Sequence, residues 1–154
     1  MLIAVIGENC AGKSTLAGAI RSALGGEIVT GRDYLRLAKS RAEAEALFRA
    51  RLRGAAKGAN LIYVISEEEQ LALLPDGAIR VLVSADLDTI KARFRQRMRG
   101  SLPDPVARML ENKHGRFDGG TYDFRYDGAK GDPAALCAAL RAFMEGPDRQ
   151  EERV

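Results

Sequence analysis

Nine residues near the start of the chain have the types and spacing to hold phosphate: Gly7-Glu8-Asn9-Cys10-Ala11-Gly12-Lys13-Ser14-Thr15. They fit G-x-x-x-x-G-K-[ST]. In this pattern the glycines let the backbone bend where a Cβ would clash, and successive N–H groups turn inward around anionic oxygens. The lysine, Lys13, reaches the β- and γ-phosphates of a bound nucleotide, and the Ser14 hydroxyl after it is the metal ligand for Mg²⁺. The pattern lies between the apolar run Leu2–Ile6 and the segment 16–21. That is the strand-to-helix position it requires, where the helix N-terminus adds positive potential. A chance Gly-rich turn rarely satisfies four fixed positions and both flanks. The expected ligand is a nucleoside triphosphate, ATP with Mg²⁺.

The elements around this loop follow from periodicity and turn residues. A strand over 2–6 leads to a helix over about 13–24, stopped by Gly25-Gly26. Residues 27–30 read as a short second strand. A long helical stretch rich in Ala, Arg, Glu and Leu then runs to about Lys57, and Leu61–Ile65 is a buried third strand. Ser66, followed by three glutamates, reads as a helix N-cap with acids in the first turn. Pro75-Asp76-Gly77 is a turn before a fourth strand over 78–83. Asp86 or Asp88 caps a helix over about 88–99, Gly100 to Pro103 interrupts it, and a further helix covers about 104–114. A fifth strand over 122–126 and a helix over 133–145, opened by Asp132-Pro133, complete the pattern. Strands alternating with helices predict an α/β fold: a doubly wound, five-stranded parallel sheet in a three-layer α/β/α sandwich. In such folds ligands bind beyond the carboxyl ends of the strands. The phosphate loop, Asp33, Ser66, Glu67 and Asp86 all fall at those ends.

The chain's 154 residues suit one domain over 1–146 and a charged tail over 147–154 that is expected to fray. A net charge of +3 argues no nucleic-acid role, although the basic residues are mostly arginine and cluster after residue 90. Arginine suits bidentate phosphate recognition. Two cysteines, Cys10 and Cys137, suggest no disulfide framework and fit a reducing compartment. Cys10 is either an exposed, oxidisable thiol at a helix N-terminus or, the preferred reading, filler at a variable position of the loop. No run approaches the roughly 20 apolar residues of a membrane span. Met1 leads straight into the first strand, so a cytoplasmic protein with no leader is expected.

With these motifs the chain resembles the P-loop nucleoside monophosphate kinases, adenylate kinases most of all, with shikimate and gluconate kinases as close relatives. The resemblance is scattered over nearly the whole chain. Thr30-Gly31 and Asp33-Tyr34-Leu35-Arg36 match that family's T-G-D-x-L-R with one extra residue, Arg32. The resemblance implies that Arg36 holds the acceptor's phosphate, Thr30 faces its base, and Asp33 lies near the metal and the acceptor hydroxyl. Arg93 and Arg97 match the R-x-x-x-R of the lid arm, and their spacing puts both on one helix face. Cations there are what phosphoryl transfer needs, being mostly positioning and charge stabilisation. Arg108 resembles the arginine that closes the lid, and Lys130 falls in a loop, 126–133, that resembles the one packing against adenine. The acceptor-binding segment, about 33–58, and the lid, within about 98–108, are both short. No D-G-F-P-R follows the third strand, and no Asp ends it. Glu67 or Asp33 is left as the carboxylate beside the metal. His114 is expected at the surface.

These readings point to an ATP-dependent small-molecule kinase acting on a nucleoside monophosphate or another hydroxyl or phosphate acceptor, with no membrane partner. Catalysis would rest on Lys13, Asp33, Arg93 and Arg97. Two alternatives stand beside it. One is a nucleotide-binding switch with little turnover, for which the missing strand-three Asp speaks. The other is a nucleic-acid end kinase using the arginine helix.

Overall fold

Alternation along the strands decides which face each side chain joins. Leu2, Ala4 and Ile6 bury on one side of the first strand, Ile3 and Val5 on the other. A strand buried on both faces is the mark of a sheet covered by helices on both sides. The computed structural model describes residues 1–31, 33, 38–55 and 58–146. It comprises β1 (Leu2–Ile6), α1 (Lys13–Leu24), β2 (Glu27–Thr30), α2 (Arg41–Ala55), β3 (Leu61–Ile65), a 3₁₀ helix (Glu68–Leu73), β4 (Ile79–Ser84), α3 (Leu87–Arg97), α4 (Asp104–Lys113), β5 (Phe124–Asp127) and α5 (Pro133–Met144).

The strands form one five-stranded sheet in the order β2-β3-β1-β4-β5, all neighbours parallel. On one face Phe48 and Leu52 of α2 pack with Leu2, Ala4, Ile6, Tyr63 and Leu82. On the other, α1 and α5 supply Leu16, Ile20, Leu136 and Leu140 against Ile3, Val5, Ile62, Val81 and Val83. The result is the doubly wound three-layer α/β/α sandwich. A smaller cluster joins Cys10 and Ala85 to Ile90 of α3 and Leu110 of α4.

The strand order reverses at β1 and β3. The connection after β1 leads to the β2 edge, and the connection after β3 leads to the β5 side. Their carboxyl ends therefore diverge and open a crevice. Several element ends differ from those the sequence predicts. The segment after β3 is a 3₁₀ helix whose N-cap is Glu67, not Ser66. The reason is Gln70: its Oε1 accepts the N–H groups of both Ser66, at 3.2 Å, and Glu67, at 3.3 Å, so the helix begins beyond them. Asp86, not Asp88, caps α3 by accepting from the Thr89 N–H. The strand β4 is shifted to end at Ser84, and β5 is shifted to end at Asp127. Arg36, Lys57 and the tail 147–154 lie outside the described residues.

Candidate active site

The loop after β1 is held by its neighbours before any ligand is considered. Gly7 N–H donates to the Ile65 carbonyl at 3.1 Å, and a Cβ on Gly7 would overlap the Val83 carbonyl oxygen. Gly12 takes φ 109°, a left-handed conformation that glycine adopts without strain. A Cβ there would stand 3.0 Å from the Gly128 carbonyl oxygen. Cys10 is also left-handed, at φ 65°, which is unusual for a residue with a side chain. Its side chain is buried against Ile90 and Leu110, so it is core and not an exposed thiol.

Lys13 is the buried charged residue among those described, only 6% exposed. Its Nζ donates to the Glu8 carbonyl at 2.6 Å. Burial pulls its ammonium pKa from 10.5 down to about 8. Arg97 pushes the same way, while Cys10, Glu8 and Glu67 oppose. A cation with few ligands of its own, at the start of α1 and beneath left-handed glycine backbone, is suited to an incoming anion. The exposed Ser14 hydroxyl at the same helix start is an oxygen donor of the kind Mg²⁺ takes. The loop therefore fits both groups expected from the sequence: the triphosphate and the metal.

A single cavity of about 670 Å³ opens over this loop. It is lined by Asn9, Cys10, Gly12 to Thr15, Arg93, Arg97, Tyr126 and Gly128 at one end. At the other end stand Thr30, Gly31, Val64, Ser66, Glu67 and Gln70. Its size falls within the usual range for small-molecule sites. Arg93 is fixed: its guanidinium donates to the Cys10 carbonyl at 3.0 Å and the Gly128 carbonyl at 2.8 Å. It thus ties α3 to the phosphate loop and to the loop after β5. Arg97, one turn on, lines the cavity and is exposed.

Other residues singled out by sequence stand apart. Asp33 does not line the cavity. Its Oδ2 accepts the Thr30 N–H at 2.6 Å and the Thr30 hydroxyl at 3.3 Å, so it shapes the turn after β2. Arg108 and Lys130 are exposed and lie outside the lining. Glu8 points away from the cavity, its carboxylate beside His114 Nδ1 at 3.2 Å and accepting the Gly115 N–H at 3.3 Å. His114 is exposed as expected, but it also braces the phosphate loop.

Among the lining residues, Leu16, Val64 and Gln70 were not picked out as site residues by sequence, and Tyr126 and Gly128 were picked out only as part of the 126–133 loop. Gln70 had a readable signal in its spacing from Glu67, the E-x-x-Q of a capping box. Gly128 did not. A Cβ there would overlap the Ala11 carbonyl oxygen, a contact between distant loops. Tyr126 packs near Gly131 and donates its hydroxyl to the Gly131 carbonyl at 3.0 Å.

No protein-family model matches the sequence, and no curated protein matches it. Solved structures match its fold. A shikimate kinase from Bacteroides thetaiotaomicron superposes with a TM-score of 0.62 and 15% identity, covering 95% of this chain and 99% of that one. A gluconokinase from Sinorhizobium meliloti 1021 gives 0.61 and 18%, covering 93% of each chain. A deoxyadenosine kinase from M. mycoides, solved with dCMP and dCDP, gives 0.53 and 17%, covering 94% and 98%. The chain has the P-loop kinase fold. These kinases act on different small molecules, so the fold alone leaves the acceptor open. Among the described residues of this P-loop kinase fold, no helix is long and apolar enough to cross a membrane.

Proposed function

We propose that this protein is an ATP-dependent phosphotransferase that moves the γ-phosphoryl group to a small acceptor. The observation that carries this reading is the shared cavity. One continuous space joins the phosphate loop with buried Lys13 to the polar ends of β2 and β3, with Arg93 and Arg97 alongside. Such a space holds a donor and an acceptor together, which is most of what phosphoryl transfer asks of a protein.

In this reading the backbone from Gly7 to Thr15 cradles the donor phosphates. Lys13 binds the β- and γ-phosphates and follows the migrating group. Ser14 holds Mg²⁺, which supplies charge neutralisation between those phosphates. Arg93 keeps the loop in shape from behind and meets the phosphates at its edge. Arg97 faces the charge that develops during transfer. Tyr126 and the backbone from Gly128 to Lys130 flank the donor base. Thr30 and Ser66 offer hydroxyls to the acceptor at the far end, and Asp33 holds the Thr30 turn in place. Arg36 and Arg108 are proposed to contact the acceptor as the lid segment approaches.

The test is ADP release from Mg-ATP with a panel of nucleoside monophosphates, nucleosides, shikimate, gluconate and an oligonucleotide, with Lys13→Ala as the control. A kinase releases ADP rapidly with one acceptor class and loses that activity in Lys13→Ala. Background release with every acceptor, while nucleotide still binds, would contradict the proposal and favour a nucleotide-binding switch. Turnover on the oligonucleotide alone, lost at high salt, would move the function to nucleic-acid ends.

A further inference from the structure

The segment after β3 carries three glutamates, and they have different fates. Glu68 pairs with Arg116 at 3.3 Å, away from the cavity. Glu69 is exposed. Glu67 lines the cavity, and it is the one carboxylate among the described residues that does. Asp33, the other candidate, turns its carboxylate to the Thr30 N–H and hydroxyl and lies outside the lining, whereas the Glu67 carboxylate, although it takes part in the capping box with Gln70, stands in the cavity wall.

The placement of Glu67 follows from strand register. Ile65 at the end of β3 pairs with Ile6 of β1, which runs directly into the phosphate loop. On the other side Val64 pairs with Thr30 of β2, which runs into Gly31. The residues just past Ile65 therefore stand between the donor loop and the acceptor end. Gln70 locks this junction. Its Oε1 accepts from Ser66 and Glu67, and its amide nitrogen packs on Gly31 so closely that a Cβ there would overlap it. Glu67 is also near enough to Lys13 to help keep that ammonium charged.

We propose that Glu67 is the catalytic base of the transfer reaction, and that the acceptor oxygen is therefore a hydroxyl. This rests on the kinase reading above. A phosphate acceptor has no proton to lose on attack, whereas an alcohol does. As the acceptor oxygen forms its bond to the γ-phosphorus, the bond from that phosphorus to the β,γ-bridging oxygen breaks. The electron pair leaves on ADP. The hydroxyl proton passes to the Glu67 carboxylate and from there to water.

The experiment compares wild type, Glu67→Gln, Glu67→Asp and Glu69→Gln in the same acceptor panel. Glutamine keeps the length and an oxygen acceptor at the start of the 3₁₀ helix while removing the base. General-base catalysis is typically worth 10²–10⁴-fold. Glu67→Gln should therefore lower kcat by about 100-fold or more while the Kd for Mg-ADP and the melting temperature stay near wild type. Glu67→Asp should recover part of the rate, and Glu69→Gln should match wild type. The inference is overturned if Glu67→Gln keeps its kcat, if its loss lies wholly in nucleotide affinity, or if the preferred acceptor is a phosphate. A wild-type protein that binds Mg-ADP yet transfers to no acceptor overturns the kinase reading itself, and Glu67 as base with it.

Discussion

Lys13 carries a charge into a place that water barely reaches, and the protein holds that charge at a cost. Its pKa is about 8 in the folded chain against 10.5 in the unfolded one. Below pH 8 both states are protonated and the penalty for burying the cation is fully present. Between pH 8 and 10.5 the unfolded chain binds the extra proton, so stability rises with pH. Lys13→Met should therefore be more stable than wild type at pH 7, by about 1–3 kcal/mol. The gain should shrink above pH 8 and vanish above 10.5, as thermal melts across that range would reveal. Phosphate binding reverses the logic, because an anion favours the protonated lysine. Near pH 8 the binding of ADP should take up about half a proton, and at pH 6.5 almost none. Calorimetry in buffers of different ionisation enthalpy measures this directly, and equal proton uptake at both pH values would contradict the assignment. Cys10 and Cys137 are 5% and 6% exposed, so neither thiol should react with a disulfide reagent faster than the protein unfolds.

Glycines separate two kinds of structural role at the level of elements. Gly18 lies inside α1 with open space where a Cβ would stand. Gly18→Ala should stabilise the protein by about 0.5–1 kcal/mol, raising the melting temperature without changing nucleotide affinity. Gly128 sits against the Ala11 carbonyl and donates its own N–H to Ser84 at 2.7 Å. Gly128→Ala must push the β5–α5 loop off the phosphate loop. It should weaken Mg-ADP binding by more than about tenfold, since 1.4 kcal/mol already accounts for that factor. An affinity within twofold of wild type would show that the two loops yield independently. The two glycines also mark what a sequence discloses. The strands were legible because Leu2–Ile6 and Leu61–Ile65 are unbroken apolar runs, and the phosphate loop because its chemistry needs residues at fixed spacing. Gly128 against Ala11 was not, since that contact exists only once β4 stands between β1 and β5 and the loops after β1 and β5 meet above it. Likewise Asp33 matched a motif with one residue, Arg32, to spare, and its carboxylate is taken by the nearer Thr30 N–H, a competition typical of Asp in turns.

At the scale of the whole molecule, the arm formed by α3 and α4 is fastened to the phosphate loop at several points. Ile90 and Leu110 bury Cys10, Lys91 pairs with Glu111 at 2.5 Å, and Glu8 holds the end of α4 through His114 and Gly115. Arg93 is the polar centre of this assembly, joining the Cys10 and Gly128 carbonyls that come from opposite sides of β4. Removing it leaves two carbonyls to find other partners, with a cost of about 1–3 kcal/mol per group that stays buried. The disturbance should not stay on α3. In Arg93→Met, amide exchange should rise together in the phosphate loop, in residues 128–131 and in α4, while β1, β3 and α5 keep wild-type protection. Mg-ADP should bind at least about tenfold more weakly, because the ligand must then supply the order that Arg93 provided in advance. Arg93→Lys should not restore either property, since one ammonium cannot span two carbonyls as a planar guanidinium does. If exchange rose in α3 alone and nucleotide affinity held, the arm would be a separate flap. The phosphate loop would then owe its shape to β1 and α1 only.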